Sequence, residues 1–237
     1  MEIETVFTWQ DMVHHQVTGK TCIVIDVLRA TSTITAALLA GATKVIPQNE
    51  ISAARTLALQ YPGSLLCGER GGLLIEGFQL GNSPLAYKPE VVSGKTLITT
   101  TTNGTNAILA CQGGSSIFLG SLNNAWAVAE RAAAKEQDIL ILCSGTRGNP
   151  SYDDMLAAGS IVYRLQQLHS QATYLDSCFA VLAIYEKERA NLYQGVLLSS
   201  HSQLLAQLSM AEDVAYCSQE NITHCVPVYH DGVITLL

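Results

Sequence analysis

One local pattern occurs four times in this chain: a short apolar segment, then a polar loop, then a helix-forming segment. The loops read DVLRATST, TTTTNGT, GSLNN and CSGTRG, and the apolar segments that lead into them cover residues 21–28, 95–100, 116–119 and 138–143. Strands that alternate with helices predict a parallel sheet covered on both faces. Because parallel strands end at the same edge of a sheet, where ligands bind, we expect the four loops to meet.

The remaining sequence fits the same single α/β unit, over residues 1–237. Helical periodicity at 174–189 and 192–208 predicts C-terminal helices, and the ending CVPVYHDGVITLL predicts a β-hairpin. The expected fold is a layered α/β/α arrangement with a largely parallel sheet, which the hairpin can make mixed. Residues 68–94 are rich in Gly, Pro and Asn without a clear period, which predicts an irregular insertion or a lid.

Composition excludes several classes of protein. With 48% hydrophobic and 14% charged residues, the chain can bury a substantial core. The net charge of −7 and the absence of a basic run argue against a nucleic-acid partner, and no apolar run approaches the roughly 18 residues of a membrane span. Seven scattered cysteines without C-x-x-C, after an acidic start, predict reduced thiols and a cytoplasmic protein. The apolar content is compatible with a homodimer, although the sequence leaves the oligomeric state open.

The stretch TCIVIDVLRATSTIT, residues 21–35, contains groups suited to bind a phosphate and a carboxylate suited to bind a metal ion. Asp26 is the only charge inside the apolar run, and Arg29 follows where the strand should end. Free N–H groups at the start of the next helix, with hydroxyls from residues 31–33, can bind an anion. A carboxylate beside a bound phosphate suits Mg²⁺. The alternative interpretation is a solvated Asp–Arg pair at a strand end.

Arginines concentrate in the same loops. Three of the seven arginines, Arg29, Arg70 and Arg147, lie in the polar loops or in GERGG. Guanidinium groups match the oxygens of phosphate and sulfonate, so this clustering predicts a small anionic substrate.

Acidic residues accompany the arginines. Glu69 lies between glycines, which would let the backbone approach a ligand closely. Asp153 and Asp154 follow CSGTRG and could join a metal site, but they could equally be the acids that favour the first turn of a helix.

The known phosphate motifs are not found in the sequence. It contains neither G-x-x-x-x-G-K-[ST] nor G-x-G-x-x-G. Thiol phosphatases place five residues between Cys and Arg, whereas Cys143 and Arg147 have three between them, so Cys143 is predicted to be a core residue at a strand end. A haloacid-type hydrolase would need a second Asp where Leu28 stands. His201 could act as a general acid, but we favour a surface or capping role.

Five motifs occur in one order: DVLRATSTI, GERGG, GFQLGNSP, TTTNGT, and CSGTRG with the acidic pair after it. In this they resemble the 2-phosphosulfolactate phosphatase family, from Asp26 to Asp154, with weaker similarity near Asp213 and at Val226 and Pro227. The resemblance implies an α/β fold particular to that family and a Mg²⁺-dependent phosphatase. Such an enzyme hydrolyses (R)-2-phospho-3-sulfolactate to 3-sulfolactate and phosphate, a step of coenzyme M synthesis.

One position departs from the family pattern. The family tends to carry Ser-x-His-Gly before its C-terminal helices, and here Ser199 and His201 match while Ser202 replaces the glycine. If that turn shapes the pocket, the choice of substrate can differ.

The residues and the resemblance together lead to a set of predicted roles. The catalytic residues would be Asp26, Arg29, Glu69 and Arg147. Mg²⁺ would be held by Asp26, Glu69 and Asp154, directly or through water. Groups that bind the phosphate, sulfonate and carboxylate of the substrate would be Thr31, Ser32, Thr33, Arg70, Thr102, Asn103, Gly104, Ser144 and Gly145.

Three questions stay open from the sequence. Either water or Asp26 could attack the phosphoryl group. The chain could instead be a phosphatase for another small anionic phosphate ester. It could also be a non-catalytic anion-binding protein on the same scaffold.

Overall fold

A computed structural model describes residues 1–236 of the chain. The strands are β1 Glu2–Val6, β2 Thr21–Ile25, β3 Lys44–Pro47, β4 Leu65–Arg70, β5 Leu73–Leu74, β6 Thr96–Thr100, β7 Ser116–Gly120, β8 Ile139–Cys143, β9 Thr173–Tyr174, β10 Pro227–His230 and β11 Val233–Leu236. The α-helices are α1 Ala30–Leu39, α2 Ile51–Ala58, α3 Pro89–Val92, α4 Gly104–Ala110, α5 Ala125–Ala133, α6 Tyr152–Leu168, α7 Asp176–Glu188, α8 Leu192–Leu197, α9 Ser200–Gln207 and α10 Ala211–Cys217.

The strands form one mixed sheet in the order β5-β4-β6-β3-β11-β10-β7-β2-β8-β1-β9. The two halves of the sheet are each largely parallel, with β7, β2, β8 and β1 in one half and β3, β6 and β4 in the other. The β10–β11 hairpin joins the halves by antiparallel pairing with β7 and β3. The predicted layered, largely parallel and mixed sheet is therefore confirmed, and the hairpin lies in the middle of the sheet.

The central strand β2 is buried on both faces because helices cover both sides of the sheet. Ile23 and Ile25 point to a core shared with α5, α6 and α7. Cys22 and Val24 alternate to the opposite core, which α1 and α4 cover. Strands of this kind read as continuous apolar runs, which is why the sequence revealed β2 clearly.

Several element boundaries differ from the sequence predictions. The strand expected over residues 21–28 ends at Ile25, because Asp26 turns the chain: its carbonyl accepts from the N–H and the hydroxyl of Thr31. The helix expected over residues 192–208 is two helices, α8 and α9. They separate at Ser199, whose side chain caps α9 by accepting from Ser202 N–H at 3.0 Å.

Residues 68–94 contain more regular structure than an irregular insertion would. They include part of β4, the short strand β5, a 3₁₀ turn at Pro84–Ala86 and the helix α3. Phe78, Tyr87 and Val92 are buried, so this segment packs against the rest of the fold.

Two further expectations concern thiols and membranes. All seven cysteines are free and six of them are buried, in agreement with the predicted reduced core thiols. Cys143 lies fully buried at the end of β8, as predicted. Between residues 1 and 236, none of the helices has the length and apolar character needed to cross a membrane.

Close packing of α6 on α7 depends on Gly159. A Cβ added at Gly159 would lie 2.5 Å from the Cβ of Tyr185 and even closer to the carbonyl oxygen of Val181. Although Ala favours a helix over Gly by about 1 kcal/mol, we expect Gly159→Ala to lower the free energy of unfolding by about 2 kcal/mol through overpacking. Chemical denaturation measures this, with Gln167→Ala on the exposed end of α6 as the control. An unchanged or higher stability for Gly159→Ala would contradict the packing argument.

Candidate active site

A cavity of about 450 Å³ opens where the loops after β2, β4, β6 and β8 come together. The helix α9 closes its other side. Six residues predicted for the site line this cavity: Asp26, Arg29, Glu69, Thr102, Asn103 and Arg147. Further lining residues are Leu28, Gly71, Gly72, Asn82, Thr146, Asn149, Pro150, Ser200, His201 and Leu204.

The GSLNN loop does not join the cavity, contrary to the expectation that all four loops meet there. Asn123 Nδ2 instead donates to the carbonyls of Tyr216, at 3.0 Å, and Gln219, at 2.9 Å. Asn124 Nδ2 donates to the Cys225 carbonyl at 3.0 Å. This loop therefore anchors the C-terminal part of the chain over the end of β7.

Asp26 is the buried carboxylate at the centre of the site. Its Oδ1 accepts from Ala30 N–H at 3.0 Å, and its Oδ2 accepts no hydrogen bond within the described part of the chain. A Cβ at Gly104 would lie 2.5 Å from Oδ2, so only glycine fits beside it. Gly104 thus makes room for Asp26 and is not a lining residue.

Burial raises the pKa of Asp26 to about 6. The Ala30 N–H bond and the charge of His201 oppose this rise, whereas repulsion from Asp153 and Glu69 adds to it. Asp26 is therefore an anion at neutral pH, held in surroundings that disfavour its charge.

The three hydroxyls after Arg29 stabilise the turn and do not line the cavity. Each donates to a main-chain carbonyl: Thr31 to Asp26 at 2.8 Å, Ser32 to Val27 at 2.9 Å and Thr33 to Asn82 at 2.8 Å. Hydroxyls near a helix start often bond local backbone in this way. Their predicted contact with the substrate is not supported by this geometry.

Glu69 joins two of the loops. Its Oε1 accepts from Thr102 N–H at 2.8 Å, and its Oε2 accepts from Gly72 N–H at 2.7 Å. Gly68 before it has a φ of +133°, and a Cβ there would clash with the Thr100 carbonyl. Gly68 thus serves the close approach of two backbone segments.

Arg29 is almost completely buried, with 2% of its surface exposed. Its Nη1 lies 2.5 Å from Asp213 Oδ2 and 2.9 Å from Met210 Sδ, and its Nη2 donates to the Gly72 carbonyl at 2.9 Å. Its Nε has no partner among residues 1–236. This cation, which lines the cavity, is therefore partly neutralised by the C-terminal helix α10 and keeps one buried donor without a partner in the described chain.

The other two arginines have different positions. Arg147 is exposed at the cavity wall, at a φ of +53° between Gly145 and Gly148. Arg70 points away from the cavity lining, because its guanidinium donates to the Glu69 carbonyl at 2.7 Å and to Thr100 Oγ1 at 2.9 Å. The structure therefore brings Arg29 and Arg147 to the site and leaves Arg70 outside it.

Asp154 lies behind the cavity, in the first turn of α6. Its Oδ1 accepts from Val27 N–H at 2.9 Å, and its Oδ2 accepts from Ser144 Oγ and Gly145 N–H, both at 3.0 Å. Burial raises the pKa of Asp154 well above its ordinary value, and repulsion from Asp153 and Asp26 raises this pKa further. Ser144 and Gly145 thus serve Asp154 and do not line the cavity.

The donor set at the cavity suits a hard cation with few protein ligands. Within the described residues, no group of three or more His, Cys, Asp or Glu side chains is arranged to hold a metal ion. Mg²⁺ commonly takes one or two carboxylates and completes its shell with water and substrate phosphate. In this part of the chain Asp26 has an oxygen free of hydrogen bonds, and Glu69 lines the same cavity, so these two carboxylates fit that pattern. Both oxygens of Glu69 and both of Asp154 accept protein hydrogen bonds, but Asp154 does not line the cavity.

His201 is the main site residue that sequence reasoning placed elsewhere. It is half-buried and lines the cavity from the first turn of α9. The cap of α9 is Ser199, so the capping role considered for His201 is wrong, and its half-buried side chain lies at the cavity wall. The signal in the sequence was Ser199, a good N-cap residue two positions before His201, because such a cap places the His201 side chain in the first turn of a helix. Ser202, at the family's glycine position, is buried and bonds back to Ser199.

The fold and this cavity define an α/β protein with acids and arginines around one cavity. The model of a family described as 2-phosphosulpholactate phosphatase matches residues 6–232. A protein of Caldanaerobacter subterraneus subsp. tengcongensis, named a probable 2-phosphosulfolactate phosphatase, is 38% identical over 99% of this chain and 98% of its own. One of Thermotoga maritima with the same name is 41% identical over 92% of both chains. The chain belongs to the 2-phosphosulfolactate phosphatase family, and its enzyme class is phosphatase.

We expect the negative charge of Asp26 to lower the free energy of unfolding above a pH of about 6. Between pH 3.8 and about 6 the folded protein keeps a proton that the unfolded chain releases, so stability falls as pH rises through this window. We expect Asp26→Asn to raise the free energy of unfolding at pH 7 by about 1–3 kcal/mol, with a smaller gain at pH 5. Denaturant titrations at both pH values test this, with exposed Glu76→Gln as the control. A loss of stability at pH 7 would show that the carboxylate is held by favourable contacts.

Proposed function

We propose that this protein hydrolyses (R)-2-phospho-3-sulfolactate to 3-sulfolactate and phosphate in coenzyme M synthesis. The observation that carries the proposal is the cavity that combines Asp26 and Glu69 with Arg29 and Arg147 in a chain of this family. A substrate with phosphate, sulfonate and carboxylate needs several cationic or N–H donors, and Arg29 and Arg147 both line the cavity.

Mg²⁺ belongs to this proposal as a cofactor. Asp26 and Glu69 would hold it, and when bound it would neutralise charge on the phosphoryl oxygens. The guanidinium groups of Arg29 and Arg147, which both line the cavity, would orient the phosphoryl group and stabilise its developing charge. His201, on the α9 side of the cavity, would donate a proton to the leaving alcohol oxygen.

The proposal also covers the surroundings of the enzyme. Seven free thiols support a reducing compartment such as the cytoplasm. The partner is a small anionic molecule, and the homodimer stays a proposal that size measurements in solution would test.

Phosphate release from racemic 2-phospho-3-sulfolactate tests the function directly. With Mg²⁺ we expect rapid release that stops near half conversion, because a pocket built for one enantiomer leaves the other. With EDTA in place of Mg²⁺ the rate should fall by at least about 100-fold, since charge neutralisation is lost.

Other results of this assay would point elsewhere. Release from a different phosphate ester alone would keep a phosphatase and discard this substrate. Binding of anions without release from any ester would favour a non-catalytic anion-binding protein. EDTA without effect would remove the metal from the mechanism.

Arginine variants test which guanidinium groups meet the substrate. Because Arg147 lines the cavity and Arg70 does not, we expect Arg147→Ala to lower kcat/KM by about 10–100-fold and Arg70→Ala by less than about 3-fold. Arg189→Ala, whose guanidinium stacks on Tyr163 at 4.9 Å from the ring, is the control for charge alone. A larger loss in Arg70→Ala than in Arg147→Ala would restore Arg70 to the site and contradict the observed arrangement.

A further inference from the structure

Arg29 is the most enclosed charged side chain of the cavity, with 2% exposure against 7% for both Asp26 and Glu69. A buried donor without an acceptor is costly, because water no longer reaches it. Nη1 and Nη2 have protein acceptors, whereas Nε has none in the described range 1–236. Arg29 also lines the cavity, so this incompletely paired guanidinium lies where an anion can bind.

Asp213 binds this guanidinium through one oxygen only. Its Oδ2 lies 2.5 Å from Arg29 Nη1, while its Oδ1 accepts from Ser83 Oγ at 2.6 Å. A carboxylate with both oxygens free often pairs with arginine through two parallel bonds. The Ser83 hydroxyl occupies the second oxygen and so keeps Asp213 from taking another N–H of Arg29.

We propose that Asp213 is a positioning residue, oriented by Ser83, that holds the guanidinium of Arg29 at the cavity so that it binds a tetrahedral anion of the substrate. Neither Asp213 nor Ser83 lines the cavity, so both act through Arg29. The inference rests on the proposed function, because the anion it serves is the phosphate or sulfonate of that substrate.

The GSLNN loop takes part in this arrangement indirectly. Asn123 holds the carbonyls of Tyr216 and Gln219 at the end of α10. The helix α10 carries Asp213, which is 3% exposed. The GSLNN loop thus holds α10, the helix whose Asp213 carboxylate orients Arg29.

The test compares phosphate binding in the full-length wild type, Asp213→Asn and Ser83→Ala by calorimetry with inorganic phosphate, beside kcat and KM for phosphate release. Asp213→Asn should weaken phosphate binding more than 10-fold. Ser83→Ala should weaken it about 3–10-fold, because Asp213 can then engage a second N–H of Arg29. The loss should appear both as a higher KM and as a lower kcat, since Arg29 is proposed to hold the bound anion and to stabilise the charge that develops on it.

Controls separate positioning from folding. Glu212→Gln changes the exposed acid next to Asp213 on the same helix and should leave both affinity and rate unchanged. In an Arg29→Lys background, Ser83→Ala should cause no further loss, because the two residues act as one unit. A purely structural role would lower the unfolding midpoint and leave the phosphate affinity of the folded protein as it is.

Two outcomes would overturn the inference. One is wild-type phosphate affinity in folded Asp213→Asn and Ser83→Ala. The other is a wild-type protein that does not bind phosphate at millimolar concentration. A protein that binds phosphate but does not hydrolyse 2-phospho-3-sulfolactate would refute the proposed function only, and the binding comparison would still decide the role of Asp213.

Discussion

The burial of one guanidinium at the end of the central strand determines much of the architecture around the site. Arg29 cannot stay at 2% exposure without acceptors, since an unpaired buried charge costs several kcal/mol. Its partners come from the β4–β5 turn, through Gly72, and from α10, through Asp213. The requirement to satisfy Arg29 therefore draws the C-terminal helices across the edge of the sheet, where α9 becomes a wall of the cavity.

Two buried carboxylates connect the loops of the site through hydrogen bonds. Glu69 joins the loops after β4 and β6, and Asp154 joins those after β2 and β8, each by accepting main-chain N–H groups. A buried main-chain N–H group needs a hydrogen-bond acceptor, and the carbonyls of neighbouring loops cannot accept from every such group. Acids that resemble metal ligands in the sequence can thus be the groups that hold a site's loops together, as Asp154 is here.

The sequence predicted well what depends on local pattern and on sheet geometry. Burial on both faces made β2 visible, and parallel strand ends bring Asp26, Glu69 and Arg147 to one cavity. It failed where a contact depends on distant residues. Nothing near Arg29 indicates that Asp213, 184 positions away, is its partner, and nothing in the last residues places their hairpin between β3 and β7. The hydroxyls of residues 31–33 were expected at the substrate, but those of Thr31 and Ser32 bond carbonyls of their own turn and that of Thr33 bonds the distant Asn82 carbonyl.

Two charged residues that line the cavity, Asp26 and Arg29, each keep a polar atom without a hydrogen-bond partner among residues 1–236, and their charges are opposite. Asp26 keeps a carboxylate oxygen without a hydrogen bond in surroundings that raise its pKa, and Arg29 keeps an N–H without an acceptor. A cation would relieve the first and an anion the second, so each would be bound better in the presence of the other through their mutual attraction. Both ligands would stabilise the folded chain, because the unfolded chain offers neither site. The free-energy cost of burying these two groups in the free protein would thus be offset if a cation and an anion bound together.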